Sequence, residues 1–172
     1  MSEQNESADW GASRRREVTW HDPAVGATAG RGLSGAEYLT AMLEGRLPPP
    51  PIARTLDFTL SRIADGEVWF DCTPQESHYN PIGLVHGGLV CTLLDSALGC
   101  AAHTQLPAGV GYTSLEIKVS YLRPVSPALG TLTAHGWVTK PGRRVLFVEG
   151  DVRDPADNVV ATGSGTCLVT SG

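Results

Sequence analysis

The run Asn80-Pro81-Ile82-Gly83-Leu84-Val85-His86-Gly87-Gly88-Leu89-Val90-Cys91-Thr92-Leu93-Leu94-Asp95 gathers the residue types in this chain that could do chemistry. It opens with turn residues and passes through His-Gly-Gly, and Asp95 is the only Asp, Glu, Lys or Arg between Gly87 and Ala102. A carboxylate in so apolar a stretch is expected to be buried. Burial costs an unpartnered ionised carboxylate several kcal/mol or drives its pKa upward, so the position needs a reason. Two reasons are open: a carboxylate that holds a neighbouring loop by hydrogen bonds, or one that acts as nucleophile or general base. Gly87 would start a helix, where free N–H groups and the helix dipole favour negative charge, and its missing side chain lets a ligand approach the backbone. That suits an oxyanion hole; a helix start packed tightly against its loop would be equally content with glycine.

The elements that must position these residues follow from periodicity and turn chemistry. The helix itself is expected from His86 to about His103, closed by Pro107 and Gly109. Leu89, Val90, Leu93, Leu94, Ala97, Leu98, Ala101 and Ala102 make it apolar on nearly all sides, so it needs a wide cover. Before it, residues 55–63 alternate polar and apolar, and Asp65-Gly66 turns them into Val68 to Cys72, which predicts an antiparallel pair. After it come four predicted strands, near 112–123, 130–140, 143–153 and 159–169, with turns at Pro141-Gly142 and residues 154–158. Two strands, one helix and four strands give an α+β chain in which an antiparallel sheet curls around the helix. Ser34 caps a short predicted helix over Gly35 to Glu44, and Pro48 to Pro51 end it. The expected division is a flexible arm at 1–32, a short helix and Pro-rich linker at 33–50, and one folded domain at 51–172.

Composition narrows the function. The chain has 172 residues, 41% hydrophobic, and a net charge of -5, which supplies no general basic surface for nucleic acid. Cys72, Cys91, Cys100 and Cys167 lie far apart, without a Cys-x-x-Cys pair or a His at zinc-ligand spacing, so they are read as reduced apolar residues and no metal is expected. No apolar stretch is long enough to span a bilayer, and no hydrophobic segment follows Arg14-Arg15-Arg16, so neither a membrane anchor nor a signal peptide is expected. A cytoplasmic location follows.

Asn80-Pro81-x-Gly83-x-x-His86-Gly87-Gly88 with Asp95 eight residues after Gly87 resembles the hotdog-fold thioesterase superfamily, in particular its phenylacetate-degradation (PaaI-like) type. Tyr112-Thr113 opening a strand that ends Tyr121-Leu122-Arg123-Pro124 is a second match, and the resemblance covers roughly residues 50–170. It implies a hotdog fold of five to six strands around one central helix, dimerising into a double hotdog. It also implies hydrolysis of an acyl-CoA thioester at a metal-free, cofactor-free site between subunits of a homodimer, with further pairing to a homotetramer.

Spacing tests that implication independently. Eight helical residues span about 12 Å, so one thioester cannot touch both Gly87 and Asp95 of one helix. If the Gly87 N–H polarises the carbonyl while Asp95 supplies or activates the nucleophile, they come from two antiparallel copies. Asn80, able to donate and accept, could hold the attacking water or the thioester oxygen, or serve only its turn. Thr113 shares parity with Leu115, Ile117, Val119 and Tyr121, which points its hydroxyl at the helix, where by resemblance it would assist Asp95 or the water, or serve only as a core threonine bonded to backbone; Ser114 has the opposite parity. His86, with Gly88 beside it, sits at the helix mouth to orient the loop or touch substrate. Arg123 and the pair Arg143-Arg144 are candidates for the coenzyme's phosphates. His78, His103 and His135 have no partner at meaningful spacing and read as ordinary loop or strand residues.

Two other functions remain open. An acyl-thioester hydratase or dehydratase on the same fold would favour a His paired with an acid, and a non-catalytic acyl-CoA-binding module would normally carry a DNA-binding segment, for which residues 1–50 show no helix-turn-helix pattern.

Overall fold

The computed structural model describes residues 11–171. Its centre is α4 (Gly87–Thr104), an eighteen-residue helix in which Leu89, Val90, Leu93, Leu94, Ala97, Leu98, Ala101 and Ala102 are all buried. Burial on so many sides is met by a six-stranded antiparallel sheet that wraps the helix. The strands are β1 (Phe58–Ala64), β2 (Glu67–Cys72), β3 (Val110–Tyr121), β4 (Leu132–Lys140), β5 (Val145–Arg153) and β6 (Val159–Ser171). Their order across the sheet is β1-β2-β4-β5-β6-β3, which leaves β3 at one edge.

Helix and sheet approach closely because of glycine. Gly136, Gly150 and Gly163 stand opposite one another across β4, β5 and β6. A Cβ on Gly136 would lie 2.4 Å from the backbone carbon of Ala97, inside any real contact distance. The remaining inward positions, among them Val68, Leu132, Ala134, Val148 and Val152, close the core on the helix.

Three short helices precede the sheet: α1 (Pro23–Gly30), α2 (Gly35–Leu43) and α3 (Pro51–Leu56). α2 starts on a capping box in which Ser34 and Glu37 satisfy each other's end of the backbone. α1 lies inside the segment expected as a flexible arm, 1–32; Asp22 caps it and Pro23 occupies its first turn. Residues 1–10 of the expected flexible arm fall outside the described residues. The strand expected from Thr55 begins later than its alternation suggests. Thr55 and Leu56 finish α3, which Pro51 initiates, and Asp57 takes a left-handed conformation (φ 56°) that ends the helix and releases the chain into β1. Among the described residues no helix is long and apolar enough to cross a membrane.

Candidate active site

The start of α4 is built by three side-chain and backbone devices. Asn80 Oδ1 accepts from the N–H of Ile82 (3.1 Å) and of Leu84 (3.0 Å), and Gly83 takes a positive φ of 80°, so the loop folds back on itself. The Asn80 side-chain oxygen is thus engaged in shaping the turn, while its side-chain amide N–H groups have no partner among the described residues. The backbone N–H of His86 donates to the carbonyl of His78 (2.8 Å), and that of Val85 to Val125 (3.1 Å), which pins the loop to the end of the sheet. His78 is not an ordinary loop residue: it is buried, its Nδ1 accepts from the Gln75 N–H, and its Nε2 lies 3.3 Å from the Arg16 guanidinium.

His86 is the N-cap, and its Nδ1 accepts from the N–H of Gly88 at 2.7 Å. In this cap Nδ1 is the acceptor, which leaves Nε2 as the ring's donor. The Gly88 N–H is therefore spent on the cap and is not offered to a ligand. The two glycines have separate reasons. A Cβ at position 88 would meet His86 Nδ1 at 2.8 Å, and one at 87 would meet the Tyr121 ring and hydroxyl at 3.1 to 3.2 Å. Tyr121 in turn donates its hydroxyl to the Gly87 carbonyl (2.9 Å), while the Gly87 N–H has no partner among the described residues. A helix-terminal N–H with no protein acceptor is the donor an oxyanion needs.

Asp95 departs from expectation, for it is exposed. It lies on the stripe of α4 that the curled sheet leaves uncovered, so in the single chain its charge meets solvent rather than apolar side chains. Its partner also differs. Ser114 Oγ donates to Asp95 Oδ1 at 3.1 Å, whereas Thr113 pairs across to Leu168 on the opposite face of the sheet. The cause is a β-bulge. The β3 to β6 register shifts between Ser114 and Glu116, so Leu115 is the extra residue and the alternation inverts there. Beyond the bulge Ile117 and Val119 face the helix as their parity requires; before it the helix-facing residues are Tyr112 and Ser114. Nothing in the alternating pattern of residues 113–121 announces the extra residue, and the aromatic Tyr112 on the even parity is the one sequence signal that pointed to it.

Cys91 stands one turn before Asp95, and burial followed by the Asp95 charge raises its thiol pKa; the same causes push Cys100 up to about 12. Both remain thiols near neutral pH and leave the carboxylate as the anionic group of this face. Arg123 lies two residues past Tyr121, at the Gly87 end of the helix. Arg143 and Arg144 sit on the turn between β4 and β5. Arg143 lines a cavity of about 670 Å³ with Gln105, Leu106 and Pro107, at the other end of α4. One chain therefore places Arg143 and Arg144 some 25 Å from Gly87, about the length of the helix. Asn80, His86, Gly87 and Arg123 are brought to one end, and Asp95 with Ser114 lies two turns along.

The thioesterase superfamily model matches residues 82–161. Human acyl-coenzyme A thioesterase 13 is 32% identical over 112 residues, covering 63% of this chain and 76% of its own length. A phenylacetic acid degradation-related protein from Ralstonia eutropha superposes with a TM-score of 0.70 at 28% identity, over 76% of this chain and 98% of that one. The Escherichia coli PaaI protein of the phenylacetic acid degradation operon shares the fold, with a TM-score of 0.69 at 22% identity over 81% of this chain and 97% of its own.

Proposed function

This chain belongs to the thioesterase superfamily, a group of thioester hydrolases on the hotdog fold, and from that premise we propose that it hydrolyses an acyl-CoA thioester to the free acid and coenzyme A. The observation that carries the reading is the separation of two complementary groups on α4. Among the described residues the Gly87 N–H has no acceptor and is open to an oxyanion, and a carboxylate at Asp95, oriented by Ser114, stands two turns away on a face that they leave uncovered.

Two copies with antiparallel α4 helices would place each Gly87 beside the other copy's Asp95, giving two composite sites. The edge strand β3 supports this assembly. It is twelve residues long, has no partner on its outer side among the described residues, and carries exposed Leu115 and Tyr121, with Leu122 just beyond it. Unprotected edges of that length are templates for pairing. Covering Asp95 in the dimer would then bring the carboxylate into the surroundings that its neighbours in sequence suggest.

In the proposed reaction the thioester oxygen accepts from the Gly87 N–H, and the Asn80 amide, held by its turn, is a second donor at the same end. Asp95 acts on the carbonyl carbon in one of two ways. Either its oxygen attacks directly and water then cleaves the resulting anhydride, or it removes a proton from a water that attacks. In both, the carbon–sulfur bond breaks, a carbon–oxygen bond forms, and the coenzyme leaves as its thiol with the proton taken from water. Ser114 holds the carboxylate in line for either route.

The test is an acyl-CoA panel of short, medium, long and aryl thioesters with release of coenzyme A thiol followed. The reading expects turnover of at least one ester and its loss in Asp95→Asn. Absence of turnover across the panel with retained ligand binding would favour a binding module, and full turnover by Asp95→Asn would remove Asp95 from the chemistry.

A further inference from the structure

α1 lies well before the segment that matches the family model, yet it is docked closely onto the domain. Gly26 and Gly30, four residues apart and so on one face of the helix, both rest on Tyr38. A Cβ at Gly30 would stand 2.9 Å from the Tyr38 ring, and one at Gly26 would stand 3.3 Å from its hydroxyl. Between α1 and the body of the domain is a cleft of about 320 Å³ lined by Ala27, Gly30, Leu33, Tyr38, His103 and Val110. Arg31 is the one lysine, arginine or carboxylate residue in its lining.

The cleft reaches α4 at His103. His103 follows Asp95 by eight residues, about 12 Å along the helix axis. Between them Tyr112 lies across α4, its hydroxyl 2.7 Å from where a Gly99 Cβ would be and its ring 5.5 Å from that of His103. Tyr38 extends the surface, 5.7 Å from His103 between ring centroids. A floor of three packed rings, Tyr112, His103 and Tyr38, thus runs from two residues short of Ser114 on β3 to the inner side of α1. Burial lowers the His103 pKa, so the ring is uncharged near neutral pH and behaves as part of an apolar wall.

We propose that this floor receives the acyl group of the thioester, aliphatic or aryl, and that α1 is the end wall which limits its length, with Ala27 as the residue that sets the limit. The proposal rests on the hydrolase reading. A carbon-lined cleft with a single guanidinium suits the acyl end of the substrate and not the polar, phosphate-bearing coenzyme. Ala27 is exposed on the cleft, so a larger side chain there fills space without entering the core.

The experiment compares the full chain with Ala27→Trp and Ala27→Leu on acetyl-, butyryl-, octanoyl-, palmitoyl- and phenylacetyl-CoA. For the longest acyl group that the unaltered chain hydrolyses, kcat/KM should fall roughly tenfold or more in Ala27→Trp, with a smaller fall in Ala27→Leu, while the shortest accepted ester changes little. An unchanged profile in both variants, or an equal loss on every ester, would overturn this inference while leaving the hydrolase reading intact. If the unaltered chain turns over none of the esters, both fall.

Discussion

Ser114 donates its hydroxyl to Asp95 Oδ1 at 3.1 Å, from a strand that a bulge at Leu115 has turned over. This is the contact that orients the carboxylate on the uncovered face of α4. Hydrogen bonds to charged groups are worth about 1.5 to 3 kcal/mol. Ser114→Ala should therefore lower kcat by roughly ten- to a hundredfold. Thr113→Ala, on the outer face, should stay within about twofold. Steady-state kinetics on any hydrolysed ester decides between them, and equal losses in the two variants would contradict the bulged register of β3.

The helix–sheet approach makes a separate prediction about stability. At Gly136 an added methyl would meet backbone atoms of Ala97, including its carbonyl carbon at 2.4 Å, and backbone cannot rotate away as a side chain can. Gly136→Ala should cost about 3 kcal/mol, at the upper end of overpacking effects. Urea unfolding midpoints measure it; a loss below about 1 kcal/mol would mean that α4 can lift off β4.

How much of this was legible in the sequence depends on which interaction decides each feature. The central helix and the strands around it were readable because Leu89 to Ala102 must be buried on many sides and alternation marks most of the strands. The loop and helix start were readable because Asn80, Gly83 and the two glycines have few other uses. Asp95 as an exposed residue was not: an apolar neighbourhood in sequence says that the helix is buried, not that every face is covered by the same chain. Ser114 was hidden by the bulge, since register inversion is set by β3 and β6 together and not by the residues of β3 alone. α1 and the late start of β1 depend on cap residues, Asp22 and Asp57, whose effect is local and leaves no period to detect.

Buried His78 and half-buried His103 give a pH dependence. Burial and then the Arg16 charge lower the pKa of His78, and burial lowers that of His103, both from 6.5. As the pH falls through about 6.5 the unfolded chain takes up protons that the folded chain refuses, so folding stability is lost progressively until the lowered folded-state values are reached. Thermal midpoints should drop between roughly pH 7.5 and 5, and His78→Gln combined with His103→Asn should reduce the slope. An identical slope in the double variant would mean that neither ring carries the dependence.

The most direct test of the central claim, that one thioester is served by Gly87 of one copy and Asp95 of another, is complementation between two inactive variants. Asp95→Asn removes the carboxylate. Gly87→Pro removes the N–H while suiting a first helical position, since His86 already has the extended conformation that precedes proline (ψ 133°). Each homodimer should be nearly inactive. Co-expressed and randomly assembled, half the dimers are mixed and each of these holds one intact pair, so activity should return to about a quarter of the unaltered level. If the mixture stays as inactive as its parents while mixed dimers are shown to form, the site lies within one chain and the composite arrangement is wrong.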